Sequence, residues 1–248
     1  EGALLLGCAA SLTEVSETCA KAALADGQAR LPAGGSVGGG AAAIRDMLRW
    51  FASTQVRNAA CIGGNLVTAS PISDLNPILC ASGATLSIAS AARGRRQIAA
   101  TDFFRSYRKV DLADDEVVLS VTMPPRRPYE FVLPFKQARR REDDISIVTG
   151  AIRLLLAPSD SEWKVADASL AFGGVAPTAV LAPRTAAALS GQPWCAATFK
   201  AACSVLTEEL RVAVGAPGGQ AEYRSTLPAS FLFKSFVGLT IVLEGLPG

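Results

Sequence analysis

The chain has 248 residues, half of them apolar, enough for one large domain or two small ones around a sizeable core. Its net charge of +2 gives no case for a nucleic acid or a membrane surface as partner. No continuous apolar run approaches the roughly 20 residues of a membrane span.

Residues 2–10 are apolar but have no basic leader, so no signal peptide is expected. The first residue is Glu, not Met, which suggests a processed or truncated chain. The spacing predicts a helix over residues 11–24, opened by Ser11 and Glu14 as a capping box. Residues 26–40, rich in Gly and Ala, read as a loop. Helical spacing resumes over 41–52, with Ile44, Met47, Leu48 and Phe51 on one face. A polar stretch with adjacent glycines follows at 61–77. Residues 84–90 alternate like a strand, 93–96 form its basic turn, and 117–123 are a second strand.

Pro124, Pro125 and Pro128 break the chain and mark a domain boundary, giving domains of residues 1–127 and 128–248. Beyond it, residues 129–137, 145–156 and 163–172 read as strands. Residues 183–189, 196–210 and 227–243 read as helices, the last made bulky by Phe231, Phe233 and Phe236. Strands followed by helices on a mixed sheet give an α+β class.

Histidine is absent from the sequence, which excludes Ser-His and Cys-His nucleophile pairs and any His-ligated metal. Cys8, Cys19, Cys61, Cys80, Cys195 and Cys203 contain no CxxC pair. They read as small hydrophobes in a reducing compartment and supply no clustered thiolates for an iron–sulfur centre. Redox chemistry in this chain therefore needs a bound organic cofactor.

The stretch Cys61 to Pro77 is where a cofactor is best accommodated. Gly63 and Gly64 expose bare backbone, whose amides can cradle a phosphate. Asn65, Thr68, Ser70, Ser73 and Asp74 add hydrogen-bonding groups. A Gly-rich surface turn built on Asn and Ser fits the same residues. An aromatic at Trp50 or Phe51 can stack on a ring or fill a core. Asp74 would repel a diphosphate and suits a sugar hydroxyl, or an Asx turn. Lys136 is a candidate cation beside a ring, or a solvated lysine. The run Arg139-Arg140-Arg141-Glu142-Asp143-Asp144 reads, on charge alone, as a solvated face.

The wording of these blocks is specific. Gly63-Gly64-Asn65 precedes Ser70-Pro71-Ile72-Ser73-Asp74-Leu75-Asn76-Pro77. Ser106-Tyr107-Arg108-Lys109, Phe135-Lys136-Gln137-Ala138, Arg140-Arg141-Glu142-Asp143-Asp144-Ile145, Pro217-Gly218-Gly219 and Ser230-Phe231-Leu232-Phe233-Lys234 follow in order. This series resembles the flavin-binding domain of the molybdenum hydroxylases, the xanthine dehydrogenase family most closely.

The resemblance implies the C-terminal part of a PCMH-type FAD-binding domain, then the α+β C-terminal domain of such flavoproteins. It implies FAD contacts from Phe51, Ala60, Gly63, Gly64, Asn65, Val67, Thr68, Ser73, Asp74, Val117, Val118, Lys136 and Asp143. Ser70, Ile72 and Tyr107 would surround NAD, and Arg49, Trp50 and Arg141 would control the charged loop, with Arg141 stacked on Trp50. No metal ligand and no substrate-oxidising residue is implied here. Iron–sulfur clusters and molybdopterin would lie outside this chain, as would an earlier glycine loop that wraps the FAD diphosphate.

The expected function is to pass electrons from iron–sulfur centres through FAD to NAD or oxygen in purine oxidation. The intact protein would be a cytoplasmic homodimer, and the segment alone inactive. Two alternatives stand beside this. One is an aldehyde oxidase flavin segment, and the other is a non-catalytic remnant that serves as a folded or interaction module. Residues 26–40 depart from the family's wording.

Overall fold

Two antiparallel four-stranded sheets organise the described residues. The computed structural model describes residues 2–25, 29–30, 36–159 and 162–244. The first half runs β1 (Leu4–Gly7), α1 (Leu12–Ala25), β2 (Ala29–Arg30), β3 (Ser36–Val37), α2 (Gly40–Leu48), α3 (Thr54–Ala59), α4 (Ile62–Thr68) and α5 (Asn76–Ala81). It continues through β4 (Thr85–Ser90), β5 (Gly94–Ala99), α6 (Ala100–Phe103), β6 (Phe104–Ser106), β7 (Lys109–Val110) and β8 (Glu116–Met123). The second half holds β9 (Glu130–Ala138), β10 (Ser146–Ser159), β11 (Glu162–Gly173), β12 (Val180–Leu181), α7 (Pro183–Leu189), α8 (Ala196–Glu209) and α9 (Ala221–Glu244).

The first sheet has the order β1-β8-β4-β5 and the second β12-β11-β10-β9. Every strand pairing among the described residues is antiparallel, so the expected mixed sheet is corrected. Hairpins join β4 to β5, β9 to β10 and β10 to β11, while β8 returns from further along the chain to pair antiparallel with both β1 and β4.

The α+β class follows from how the second sheet is shared. Its small residues Ala151 and Ala171, with Val132, join the core of the first half. Its bulky residues Phe131, Leu133, Ile152, Leu154, Leu170 and Phe172 join the other core, with Phe199 and Leu206 of α8 and Phe231 and Leu239 of α9. Successive strand residues face opposite sides, so one sheet serves both cores. Helix α5, entirely buried, lies between α2 and strands β10 and β11.

Ser11 caps α1 as its spacing predicts. Its amide and hydroxyl donate to Glu14 at 2.8 and 2.9 Å, and the Glu14 amide returns a bond to Ser11 Oγ at 3.2 Å. Helix α2 ends at Leu48, before the predicted end at residue 52, and the turn that follows includes Ala52 at a left-handed φ of 42°. Ser53 then caps a helix, α3, that the periodicity does not reveal. Within the expected loop at 26–40, β2 and β3 pair; residues 26–28 and 31–35 lie outside the described residues. Of the basic turn, Arg95 and Arg96 belong to β5.

Helix α9 is long and apolar enough, by length and composition, to cross a membrane, although charged and hydroxyl residues break its apolar run. One face nonetheless lies in the second core through Leu227, Phe231, Leu232 and Leu239. That is the pattern of a core helix covering a sheet.

Candidate functional site

Residues 62–68 of the stretch at 61–77 form helix α4, so the glycines do not sit in the Gly-rich surface turn that the sequence also allows. Cys61 caps α4, accepting the Gly64 amide on Sγ at 3.3 Å. The Gly63 amide donates to the Cys8 carbonyl at 3.0 Å, and the Asn65 amide to the Cys61 carbonyl at 3.1 Å. These three amides are therefore spent inside the protein, and the phosphate cradle expected of them is not formed.

The two glycines serve different ends. Gly63 is buried, and a Cβ there would stand 2.8 Å from the Cys8 carbonyl oxygen. It exists so that α4 can lie against the end of β1. Gly64 faces outward, and a Cβ there would meet only Cys61 Sγ, at 3.3 Å. Val67 and Thr68 share the exposed side of α4 with it, and Asn65 is half-buried beside them. The Thr68 hydroxyl donates to the Gly64 carbonyl at 2.7 Å, which leaves its acceptor lone pairs outward.

Asn65 begins a chain of polar contacts that ends in the second half. The Ser73 hydroxyl donates to Asn65 Oδ1 at 3.0 Å, while Ser73 Oγ accepts the Leu75 and Asn76 amides. The Ser73 carbonyl accepts from the Thr149 hydroxyl at 3.0 Å. Asp74 lies under this turn, nearly out of water. Its Oδ2 accepts from Lys136 Nζ at 2.7 Å and its Oδ1 from the Ser146 hydroxyl at 2.5 Å. Burial pushes the Asp74 carboxyl above its ordinary range, against the pull of Lys136. Lys136 is thus no solvated lysine: it pairs with Asp74 and also donates to the Trp50 carbonyl at 3.0 Å.

Trp50 carries two cations. The Arg49 guanidinium carbon lies 4.9 Å and that of Arg141 4.7 Å from the ring centroid. Arg141 comes from the charged run, which is fastened locally. The Arg140 and Ile145 amides donate to Asp144 at 2.7 and 2.8 Å, and the Arg140 side chain donates to the Asp143 carbonyl. The Arg140 amide is the main cause holding the Asp144 carboxyl below its usual range. Asp143 itself is exposed, in the left-handed region at φ 47°, a conformation Asp tolerates.

Glycines in the second half seat residues 70–73. The Gly174 amide donates to the Pro71 carbonyl at 2.6 Å. At Gly173 a Cβ would fall 2.9 Å from that same carbonyl, and Gly174 has φ +83°. Only glycine lets the end of β11 come this close. Ser70 and Ile72 sit half-exposed on this loop.

Not every expected contact residue converges. Val117 is exposed and Val118 packs towards the first core, as neighbours on β8 must. Their side chains therefore lie on opposite faces of the sheet. Phe51 and Ala60 are half-buried against the first core, and the Ala60 carbonyl accepts the Leu12 amide at 2.8 Å. Tyr107 is exposed at the tip of the β6–β7 hairpin, beside Arg108, and β7 lies next to α4. Ser146, Thr149, Gly173 and Gly174 were missed by sequence reasoning. The adjacent glycines at the end of a strand were the one available signal.

Residues 1–126 match the family model described as FAD binding domain in molybdopterin dehydrogenase, and 134–239 match the CO dehydrogenase flavoprotein C-terminal domain. The chain belongs to this molybdenum hydroxylase flavoprotein family. It is 47% identical over 198 residues to a xanthine dehydrogenase of Oryza sativa subsp. japonica, covering 80% of this chain and 14% of that protein. Xanthine dehydrogenase/oxidase of Gallus gallus is 45% identical over 195 residues, 79% of this chain and 14% of that protein. The chain thus spans about one-seventh of the length of these relatives.

Among solved structures, carbon monoxide dehydrogenase from Hydrogenophaga pseudoflava shares the fold, with a TM-score of 0.78 at 21% identity. That match covers 97% of this chain and 75% of the other. Quinoline 2-oxidoreductase from Pseudomonas putida 86 matches with a TM-score of 0.75 at 26% identity, over 96% and 74%.

The exposed residues fit the cofactor of this family. The outer face of α4 is bare at Gly64, where a Cβ would meet only Cys61 Sγ, at 3.3 Å, so a flat ligand can approach the backbone there. Asn65 keeps its Nδ2 donors, and Thr68 its acceptor lone pairs, on the same helix.

Proposed function

We propose that the chain is the FAD-binding segment of a xanthine dehydrogenase-type oxidoreductase. Electrons reach FAD from iron–sulfur centres and leave to NAD or oxygen during oxidation of hypoxanthine or xanthine. Other parts of the same protein carry the iron–sulfur clusters and molybdopterin. In this reading the protein is a cytoplasmic homodimer, and residues 1–127 and 128–248 are its flavin-side domains.

One observation carries the reading. The bare outer face of α4 is tied through Asn65 and Ser73 to a buried Asp74–Lys136 pair, and through Lys136 to the Trp50–Arg141 stack. FAD, when bound, supplies hydride transfer to NAD and electron transfer to oxygen. The chain's residues bind and orient. Gly64 permits close approach, Asn65 donates, and Thr68 accepts. Lys136 places a positive charge near the ligand, while Asp74, 2.7 Å away, keeps the pair's net charge near zero. In this reading Asp143 and Asp144 of loop 139–145 face the acceptor, and Ser70, Ile72 and Tyr107 surround NAD. The Arg49–Trp50–Arg141 stack sets where that loop rests.

The full-length protein tests the reading. Bound FAD and reduction of NAD or oxygen with xanthine as donor are expected. Oxidation of aldehydes but not purines, or a folded protein that never takes up FAD, would overturn it.

A further inference from the structure

One buried cation in the second half has no acid to answer it. Arg224, in the first turn of α9, is 8% exposed. Its partners are three backbone carbonyls: Nε donates to Gly174 at 2.7 Å, and Nη1 to Pro217 at 2.8 Å and Gly219 at 3.0 Å. Among the described residues no carboxylate pairs with it, and burial alone draws the guanidinium below its ordinary range. A charge this far from water costs several kcal/mol to desolvate, so an apolar side chain would fill the space at less cost to the fold. What the guanidinium adds is direction. Its planar fork holds two separate backbone segments at fixed angles, which an apolar chain cannot do and a lysine does poorly.

One of those segments is the seat of residues 70–73. Gly174 is fixed at three points. Its carbonyl accepts from Arg224, its amide donates to the Pro71 carbonyl at 2.6 Å, and a Cβ on it would come within 2.2 Å of the Ile147 carbonyl. The Ile147 contact and the amide bond act on one side of Gly174, and the Arg224 bond sets the direction of its carbonyl on the other. The second segment is the turn Pro217 to Gly219, which leads into α9. A path thus runs from α9 through Arg224 and Gly174 to Pro71, with neither hydrogen bond longer than 2.7 Å. Ser70 and Ile72 flank Pro71 and are half-exposed. Ser73, one step further, is tied separately to the Thr149 hydroxyl at 3.0 Å.

We propose that Arg224 is a positioning residue for the electron acceptor: through Gly174 and Pro71 it sets where Ser70 and Ile72 stand against NAD. It touches neither NAD nor flavin. The outer face of α4 and the Asp74–Lys136 pair lie off this path, so flavin binding does not depend on it. Oxygen, a small acceptor, needs no such seat. Arg224 therefore governs the use of NAD and leaves the use of oxygen alone. The inference rests on the reading above in which NAD takes electrons beside Ser70 and Ile72.

The test uses the full-length protein with Arg224→Met and Arg224→Lys. Steady-state rates are read with xanthine as donor and NAD or oxygen as sole acceptor, beside flavin content and hydrogen–deuterium exchange of residues 70–73. Arg224→Met is expected to raise KM for NAD several-fold, with kcat, flavin content and the oxygen rate near those of the parent. Exchange of residues 70–73 is expected to rise with it. Arg224→Lys keeps the charge and one donor but not the fork, and is expected to return both readouts part of the way. An unchanged KM for NAD in folded, flavin-loaded Arg224→Met would overturn the proposal. So would NAD and oxygen rates that fall together with flavin content, the mark of a purely structural role. If Arg224→Met does not fold, Arg224→Lys decides by the same criteria. A parent protein that takes up no flavin, or reduces no NAD, would instead defeat the reading on which the inference rests. The exchange arm still decides the positioning role there: equal exchange of residues 70–73 in the parent and the folded variants would overturn it.

Discussion

The Lys136 ammonium stands 2.7 Å from the Asp74 carboxylate, joining residues 62 positions apart across the two halves of the chain. Their side chains are only 9% and 7% exposed. Two charges so far from water cost several kcal/mol each to desolvate, and they are tolerated because each satisfies the other.

Breaking this pair from one side should therefore cost more than removing it. Lys136→Met leaves the buried Asp74 without a counter-charge, a loss of about 3–5 kcal/mol in unfolding free energy. The double variant Lys136→Met with Asp74→Leu should recover much of that. Burial already raises the Asp74 carboxyl above its ordinary range, and loss of Lys136 raises it further. An acid whose folded value is raised stabilises the fold when protonated, so the single variant should gain stability as pH falls and lose it as pH rises. Chemical denaturation at several pH values checks both statements.

The adjacent glycines should respond oppositely to one methyl group. Gly63→Ala drives a Cβ to within 2.8 Å of the Cys8 carbonyl, and overpacking of this kind costs about 1–3 kcal/mol. Gly64→Ala meets only Cys61 Sγ at 3.3 Å and gains helix propensity of up to about 1 kcal/mol. Its stability should hold while flavin content per folded chain falls in the full-length protein. Thermal melts alongside flavin absorbance separate the two outcomes.

Acid should loosen the first sheet. Arg96 grips both Glu116 oxygens at 2.7 Å, and this contact is the main cause of the Glu116 carboxyl falling to about 2. A carboxyl depressed in the folded state contributes stability above its unfolded range, and that contribution is lost as pH falls towards the folded value. Thermal stability should therefore decline from pH 5 downwards, the working range being about 4.5 to 2. Glu116→Gln should show a shallower decline and a lower plateau at neutral pH.

Arg141→Ala should shift electron flow from NAD towards oxygen in the full-length protein. Cation–π contacts run from about 0.5 to 2 kcal/mol, and an exposed Arg141 belongs at the lower end. About 0.5–1 kcal/mol corresponds to roughly a two- to fivefold change in the seated-to-lifted balance of the loop. Steady-state rates with NAD and with oxygen as sole acceptor read the ratio. An unchanged ratio with flavin fully bound would make the charged run a solvated loop.

Elements defined by local rules were legible in the sequence. The capping box of α1 and the boundaries of α7 depend on neighbours in the chain, and both stand as read. Helices α4 and α5 were hidden because Gly, Asn, Ser and Pro favour turns when judged alone. Burial of Leu66, Ile78 and Leu79 in the first core overrides that preference. Asp74 and Lys136 could be singled out by residue type, but their mutual pairing depends on how two sheets meet. Ser146 carried no signal at all, since a serine in a strand says nothing about a carboxylate 72 residues away.

The claim that the outer face of α4 receives FAD is tested most directly by titrating apo full-length protein with FAD, parent against Gly64→Val, while following flavin fluorescence. The backbone at Gly64 is helical, so a valine there keeps the fold and fills the ligand's space. Saturable binding near one FAD per chain in the parent, and loss of binding in a folded Gly64→Val protein, is the predicted result. Equal binding by both proteins would contradict the account.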